Sequence, residues 1–150
     1  MDNCIFCKIA SGEFDSAKIW EDKNHLAILD LNPNTKGMAL VMPKNHFDSD
    51  AFLMPDNNYQ ELMTAVKKVS EILRKGLNVN RVAMVAEGMG VNHVHIKLYP
   101  MHGIEKEFQE IWAKDKVFFD NYPGYITTQL GPQANIEDLK KLAEEIKSKL

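Results

Sequence analysis

The apolar positions of this chain follow two different periods in turn. Ile19 and Trp20, and then residues 26–29, form short apolar runs separated by the polar stretch 21–24. Short runs bounded by turn formers predict strands. Residues 30–36 carry Asn and Pro and read as a loop, and 38–42 read as a buried strand ended by Pro43. The period then lengthens. Over 58–75, Leu62, Val66, Val69 and Leu73 form one apolar stripe with Met63 and Ile72 beside it, which is the spacing of an amphipathic helix. Gly76 is the expected stop. Residues 82–86 read as a further strand, and Gly88-Met89-Gly90 predicts a tight hairpin connection to the segment that follows.

That segment is Val91-Asn92-His93-Val94-His95-Ile96-Lys97-Leu98. It alternates polar and apolar residues, the mark of a half-buried strand. Residues two apart share a face of a strand. His93, His95 and Lys97 are therefore expected on one face, with Val94, Ile96 and Leu98 toward the core, and Pro100 ends the run. Two imidazoles and an ammonium in a row suit phosphate chemistry. One imidazole can attack, a cation can hold charge, and the other imidazole can ligate a metal. The plain alternative is an exposed polar strand face.

Beyond residue 100 the pattern predicts a short helix at 105–112 and a strand at 125–130. A final helix is capped by Asn135, with Glu137 and Asp138 in its first turn and Ile136, Leu139, Leu142 and Ile146 as its stripe. The fold class expected is α+β, a mostly antiparallel sheet with helices packed on it. The 150 residues suggest one domain over 1–150, with 101–150 as a C-terminal extension.

Composition narrows the function. The net charge of −3 and the scattered Lys and Arg argue against a nucleic-acid surface. No apolar run approaches the roughly 20 residues of a membrane span. The start of the chain carries Asp2, Asn3 and Lys8 and no apolar signal core, so a cytoplasmic setting without a membrane partner is expected. Two cysteines in a reduced compartment do not suggest a structural disulfide. Cys4 and Cys7 stand as Cys-x-x-Cys, which brings two thiolates within reach of one ion. A redox dithiol would want a thioredoxin-like βαβ context, which is missing; two unligated packed thiols are the other alternative.

His93-Val94-His95-Ile96-Lys97-Leu98-Tyr99 resembles the His-φ-His-φ-His-φ-φ motif (φ apolar) of the histidine triad family of nucleotide hydrolases and transferases, with lysine in place of the third histidine. Cys4-Ile5-Phe6-Cys7-Lys8-Ile9 extends the resemblance. So do Leu29-Asp30-Leu31-Asn32-Pro33 and Gly37-Met38-Ala39-Leu40-Val41-Met42-Pro43-Lys44-Asn45-His46, so that it covers about residues 4–100. The resemblance implies a histidine-triad-like fold and a structural Zn2+ held by Cys4, Cys7, His46 and His93. It implies that His95 attacks the α-phosphorus of a nucleotide to form a nucleotidyl-histidine. Lys97 would clamp phosphate charge. Asp30 would accept bonds from the ribose hydroxyls, unless it only caps its turn, and Leu31 would lie against the base. Backbone N–H groups of Met89, Gly90 and Val91 would cradle phosphate, although Ala86 stands where Asn is usual and the glycines would also serve a turn.

The activity implied is hydrolysis of a dinucleoside polyphosphate or nucleoside phosphoramidate, releasing an AMP-type nucleotide. A regulatory nucleotide-binding protein with little catalysis and a nucleotidyltransferase are the competing readings. A purine nucleotide partner and a homodimer follow from the same resemblance. His102, just past Pro100, could reach the site mouth, although a lone loop histidine is more often simply solvated, and His25 is assigned nothing.

Overall fold

A computed structural model describes residues 3–122. The chain forms two compact units, Met1–Gln109 and Glu110–Leu150. The first unit holds α1 (Ile5–Ala10), β1 (Lys18–Glu21), β2 (His25–Leu29), β3 (Ala39–Pro43), a 3-10 turn at Ala51–Leu53, α2 (Asp56–Leu77), β4 (Val82–Val85) and β5 (Ile96–Pro100). The strands make one five-stranded sheet in the order β1-β2-β3-β5-β4, antiparallel throughout. The α+β class expected from the pattern is what forms.

Both faces of the sheet centre are covered, which explains the unbroken apolar runs of β2 and β3. Ala27, Val41, Ile96 and Leu98 face α2, whose stripe of Leu62, Val66, Val69 and Leu73 closes the larger core. Leu26, Ile28, Leu40 and Met42 face the other way and pack under Phe6 and Ile9 of α1.

Three expectations need correction. The histidine segment is not strand along its length: β5 begins only at Ile96, because Val94 N–H pairs with the Phe47 carbonyl (3.0 Å) and His93 N–H with that of Val91 (2.8 Å). The predicted face assignment survives, yet the histidine face is buried too, under α1. Second, β4 and β5 pair antiparallel, but residues 86–95 join them in a loop rather than a tight turn. Third, Gly76 lies inside α2. The helix continues to bring Leu77 onto the core, and Asn78 takes the left-handed cap (φ 51°) that the asparagine amide tolerates.

The helix expected at 105–112 does not form. Phe108, Ile111 and Trp112 are exposed, and a segment that short has no helical stability in water without a buried face. The strand expected at 125–130 and the helix capped by Asn135 lie outside the described residues. Among the described residues no helix is long and apolar enough to cross a membrane.

Candidate metal centre and active site

Helix α1 was not evident in the sequence, and it organises the first half of the site. Phe6 and Ile9, three apart, dock it onto the sheet. The same spacing holds between Cys4, its N-cap, and Cys7. Both thiols thereby meet two imidazoles from distant segments. Cys4 Sγ is 3.4 Å from His93 Nδ1, Cys7 Sγ is 3.4 Å from His46 Nδ1, and Cys7 Sγ is 3.6 Å from His93 Nδ1. One ligand atom from each of the four residues lies within 4.8 Å of all the others.

Two features fit a tetrahedral ion. Zinc bonds of about 2.3 Å to sulfur and about 2.0 Å to nitrogen, meeting near the tetrahedral angle, separate S from N by about 3.5 Å. The His93 tautomer also suits: Nε2 lies 2.9 Å from the Pro43 carbonyl, which can only accept, so Nε2 carries the hydrogen and Nδ1 turns a lone pair to the thiols. Burial, then the hydrogen bond and charge of Cys4, pushes the Cys7 thiol up. A bound cation offsets that cost.

His95 sits beside this cluster and is 4% exposed. Its Nδ1 donates to the His93 carbonyl at 2.7 Å, which leaves the Nε2 lone pair for chemistry. The Phe6 ring meets it edge-on, with centroids 5.1 Å apart. Burial lowers the His95 pKa, the His93 carbonyl opposes this, and the Lys97 charge lowers it further, so the ring is neutral at pH 7.

Lys97 pairs across the sheet with Leu40 and Val85 and shares the His95 face. Its Nζ donates to Glu87 Oε1 at 2.6 Å, a partner the sequence reading had missed. Burial pulls the ammonium down, but the hydrogen bond and charge of Glu87 outweigh it and hold the pKa above the ordinary lysine value. Asp30, at the end of β2, carries a charge felt at His95, Lys97 and Tyr99. Its Oδ1 accepts from Asn32 N–H (2.7 Å), so the turn-capping reading holds, and the second carboxylate oxygen is not used in that bond. Leu31 beside it is 90% exposed, an apolar side chain open to solvent.

The loop before His93 is fastened to residues 47–49. Asn92 accepts from Ser49 N–H (2.9 Å) and donates to Asp48 (2.9 Å). Gly88 has φ +68°, and a Cβ there would stand 2.5 Å from the Ser49 carbonyl oxygen. Glycine is required by both conformation and space. Met89 and Gly90 are exposed on this loop, while Val91 packs toward the α1 core.

His102 is tied to the loop after β2: its Nε2 donates to the Lys36 carbonyl at 2.9 Å. His25 is buried and bonds Asp22. A cleft of about 610 Å³ between the β1–β2 turn and α2, lined by Trp20, His25, Glu61 and Lys68 among others, contains none of the site residues. The contacts of Glu87, Asn92 and Phe6 carry no sequence signal, because only tertiary structure brings them to the histidines or fixes the loop beside them.

Residues 11–103 match the model of the HIT domain family. The adenosine 5'-monophosphoramidase of Schizosaccharomyces pombe is 32% identical over 149 residues, 99% of this chain and 98% of that protein. The crystal structure of a HIT family protein from Bacillus subtilis superposes with a TM-score of 0.69 at 30% identity, covering 99% of this chain and 97% of that one. A Zn-bound histidine triad family protein from Mycobacterium smegmatis gives a TM-score of 0.60 at 29% identity, covering 73% and 84%.

Proposed function

We propose that this chain, which belongs to the HIT domain family, hydrolyses nucleotide conjugates at the α-phosphate and releases a nucleoside monophosphate of the AMP type. The observation that carries the reading is the state of His95. It is a neutral buried imidazole, oriented through Nδ1, with its other nitrogen available and an ammonium on the same face. The Schizosaccharomyces pombe relative, an adenosine 5'-monophosphoramidase, supports the class of reaction.

In the first step the Nε2–P bond forms as the bond from phosphorus to the leaving group breaks, and the electron pair departs with that group. Lys97 offsets the charge gathering on the phosphoryl oxygens. In the second step water attacks phosphorus, its proton passes to solvent, and the pair in the P–N bond returns to Nε2. Two easier displacements replace one hard one. Asp30 accepts from the ribose hydroxyls, Leu31 lies against the base, and N–H groups of Met89, Gly90 and Val91 line the phosphates. Dinucleoside polyphosphates and nucleoside phosphoramidates are both candidate substrates of this chemistry.

Cys4, Cys7, His46 and His93 would hold Zn2+, which would supply a rigid tie between α1 and the loop carrying His95. The four donors suit it as two thiolates and two imidazoles. Thiolates survive in a reducing compartment, which agrees with a cytoplasmic setting. The protein acts as a homodimer. Among the described residues β4 is an edge strand, and exposed Met84 and Phe52 flank an apolar groove of about 140 Å³ beside it.

The test is AMP release from an adenosine conjugate together with intact protein mass. Wild type should release AMP through a transient adenylyl adduct. His95→Ala should lose at least about 1,000-fold in kcat, form no adduct, and keep its fold and bound metal. Wild-type turnover in that variant would refute the assignment.

A further inference from the structure

The position two residues after His95 holds a fixed charge rather than a titrating ring. Lys97 and Glu87 are paired at 2.6 Å, with side chains only 22% and 14% exposed. Glu87 lies in the loop just past β4, and Lys97 lies in β5 opposite Val85. The carboxylate therefore holds the ammonium in one place against the nucleophile's face.

From this geometry we infer that the Lys97–Glu87 pair selects conjugates whose leaving group departs as a stable anion, such as a phosphate, a polyphosphate or a sulfate, over those that release an alkylamine. The inference rests on the hydrolase reading above and deepens it by naming the substrate class.

The balance of the first step gives the reason. As the His95 Nε2–P bond forms, the electron pair of the breaking bond stays on the leaving atom. A phosphate or sulfate oxygen carries that pair as a stable anion and needs only a neighbouring positive charge. Lys97 supplies it without giving up a proton. An alkylamine nitrogen cannot leave as the amide anion, so a proton must reach it while the P–N bond breaks. A good donor for that transfer has a pKa near the working pH. An imidazole meets this condition. An ammonium tied to a carboxylate does not, since the carboxylate stabilises its protonated form. Glu87 is thus a positioning residue acting through Lys97.

The experiment compares conjugates that share AMP and differ only in the leaving group: adenylyl sulfate, a diadenosine polyphosphate, AMP esters of phenols of graded acidity, and an AMP alkylamide. The wild-type chain should favour the sulfate and polyphosphate over the alkylamide by about 100-fold or more in kcat/KM. Its rate on the phenyl esters should fall steeply as the phenol becomes less acidic. Lys97→His should flatten that slope and raise the alkylamide relative to the sulfate by about tenfold or more. Glu87→Gln should lower kcat on the sulfate with little change in KM, a split that lost stability alone would not produce. Equal wild-type turnover of the alkylamide and the sulfate overturns the inference and leaves the hydrolase reading standing. The wild-type comparison holds even where a variant fails to fold. Absence of AMP from every conjugate, with no adduct at His95, overturns the hydrolase reading and this inference together.

Discussion

His95 is oriented by the backbone of His93: its Nδ1 donates to the His93 carbonyl at 2.7 Å, while the His93 ring turns Nδ1 to the two cysteines. One residue thus faces the proposed metal with its side chain and the proposed nucleophile with its main chain. His93 is fixed in turn by its Nε2 bond to Pro43, at the end of β3. Displacing the His93 ring would move the carbonyl that sets the His95 tautomer.

Zinc removal should therefore affect both stability and rate. At free zinc about 1,000 times its Kd, binding to the native state alone stabilises by about 4 kcal/mol. Chelation is expected to lower Tm on the order of 10 °C for a chain of this size. Cys4→Ser with Cys7→Ser should abolish metal content by elemental analysis and make Tm insensitive to chelator. In the chelated wild type, kcat should fall more than KM changes, because orientation of His95 is what is lost. A stoichiometrically metal-free protein with an unchanged Tm would count against the site.

The loop ahead of His93 gives a second prediction. Gly88→Ala places a methyl 2.5 Å from the Ser49 carbonyl oxygen at a residue with φ +68°. Strain and displacement together should cost about 2–4 kcal/mol, read as a lower denaturant midpoint. Asn92→Ala removes two hydrogen bonds to residues 48 and 49 and should cost about 1–2 kcal/mol. Both variants should lose kcat, since this loop leads directly into His93.

The parts of this fold legible in the sequence are those set by local period. The α2 stripe and the alternation of Val94, Ile96 and Leu98 were readable, and each names the face that packs into the larger core. The grouping of Cys4, Cys7, His46 and His93 was named through the family resemblance, since Cys-x-x-Cys alone leaves a redox dithiol or packed thiols also open. What escaped depends on tertiary contact. Phe6 and Ile9 are only two apolar residues, too few to announce α1 without the sheet beneath them. Glu87 becomes meaningful only once β4 and β5 pair and bring it to Lys97. The start of β5 at Ile96 reflects the competing bond from Val94 to Phe47, which no period encodes.

A third prediction concerns the β4 edge. Met84 is 57% exposed on β4, which is an edge strand among the described residues, next to Phe52 and Tyr59. Met84→Glu sets a charge in the proposed pairing surface, where two copies would bring like charges together. Light scattering should show a dimer for wild type and a monomer for the variant at micromolar concentration. An unchanged mass would place the interface elsewhere.

The last prediction is the pH dependence set by Lys97. Glu87 raises its pKa above the ordinary value of 10.5, against the opposing pull of burial. The charge is therefore complete across the neutral and mildly alkaline range. For stability the sign follows directly: a group whose pKa is higher folded than unfolded contributes fully below the unfolded value, and that contribution fades only as pH rises through the folded one. The pair should thus be insensitive to pH up to the lysine range. For activity on an anion-leaving conjugate, kcat/KM should show no loss attributable to this position between about pH 7 and pH 9. Lys97→His changes the outcome, because an imidazole gives up its charge near pH 6.5, its unperturbed value. Its kcat/KM on the same conjugate should already be falling through neutrality. A wild-type profile that falls in the neutral range, with Lys97→His superimposable on it, would show that the ammonium does not carry the charge needed in the transition state.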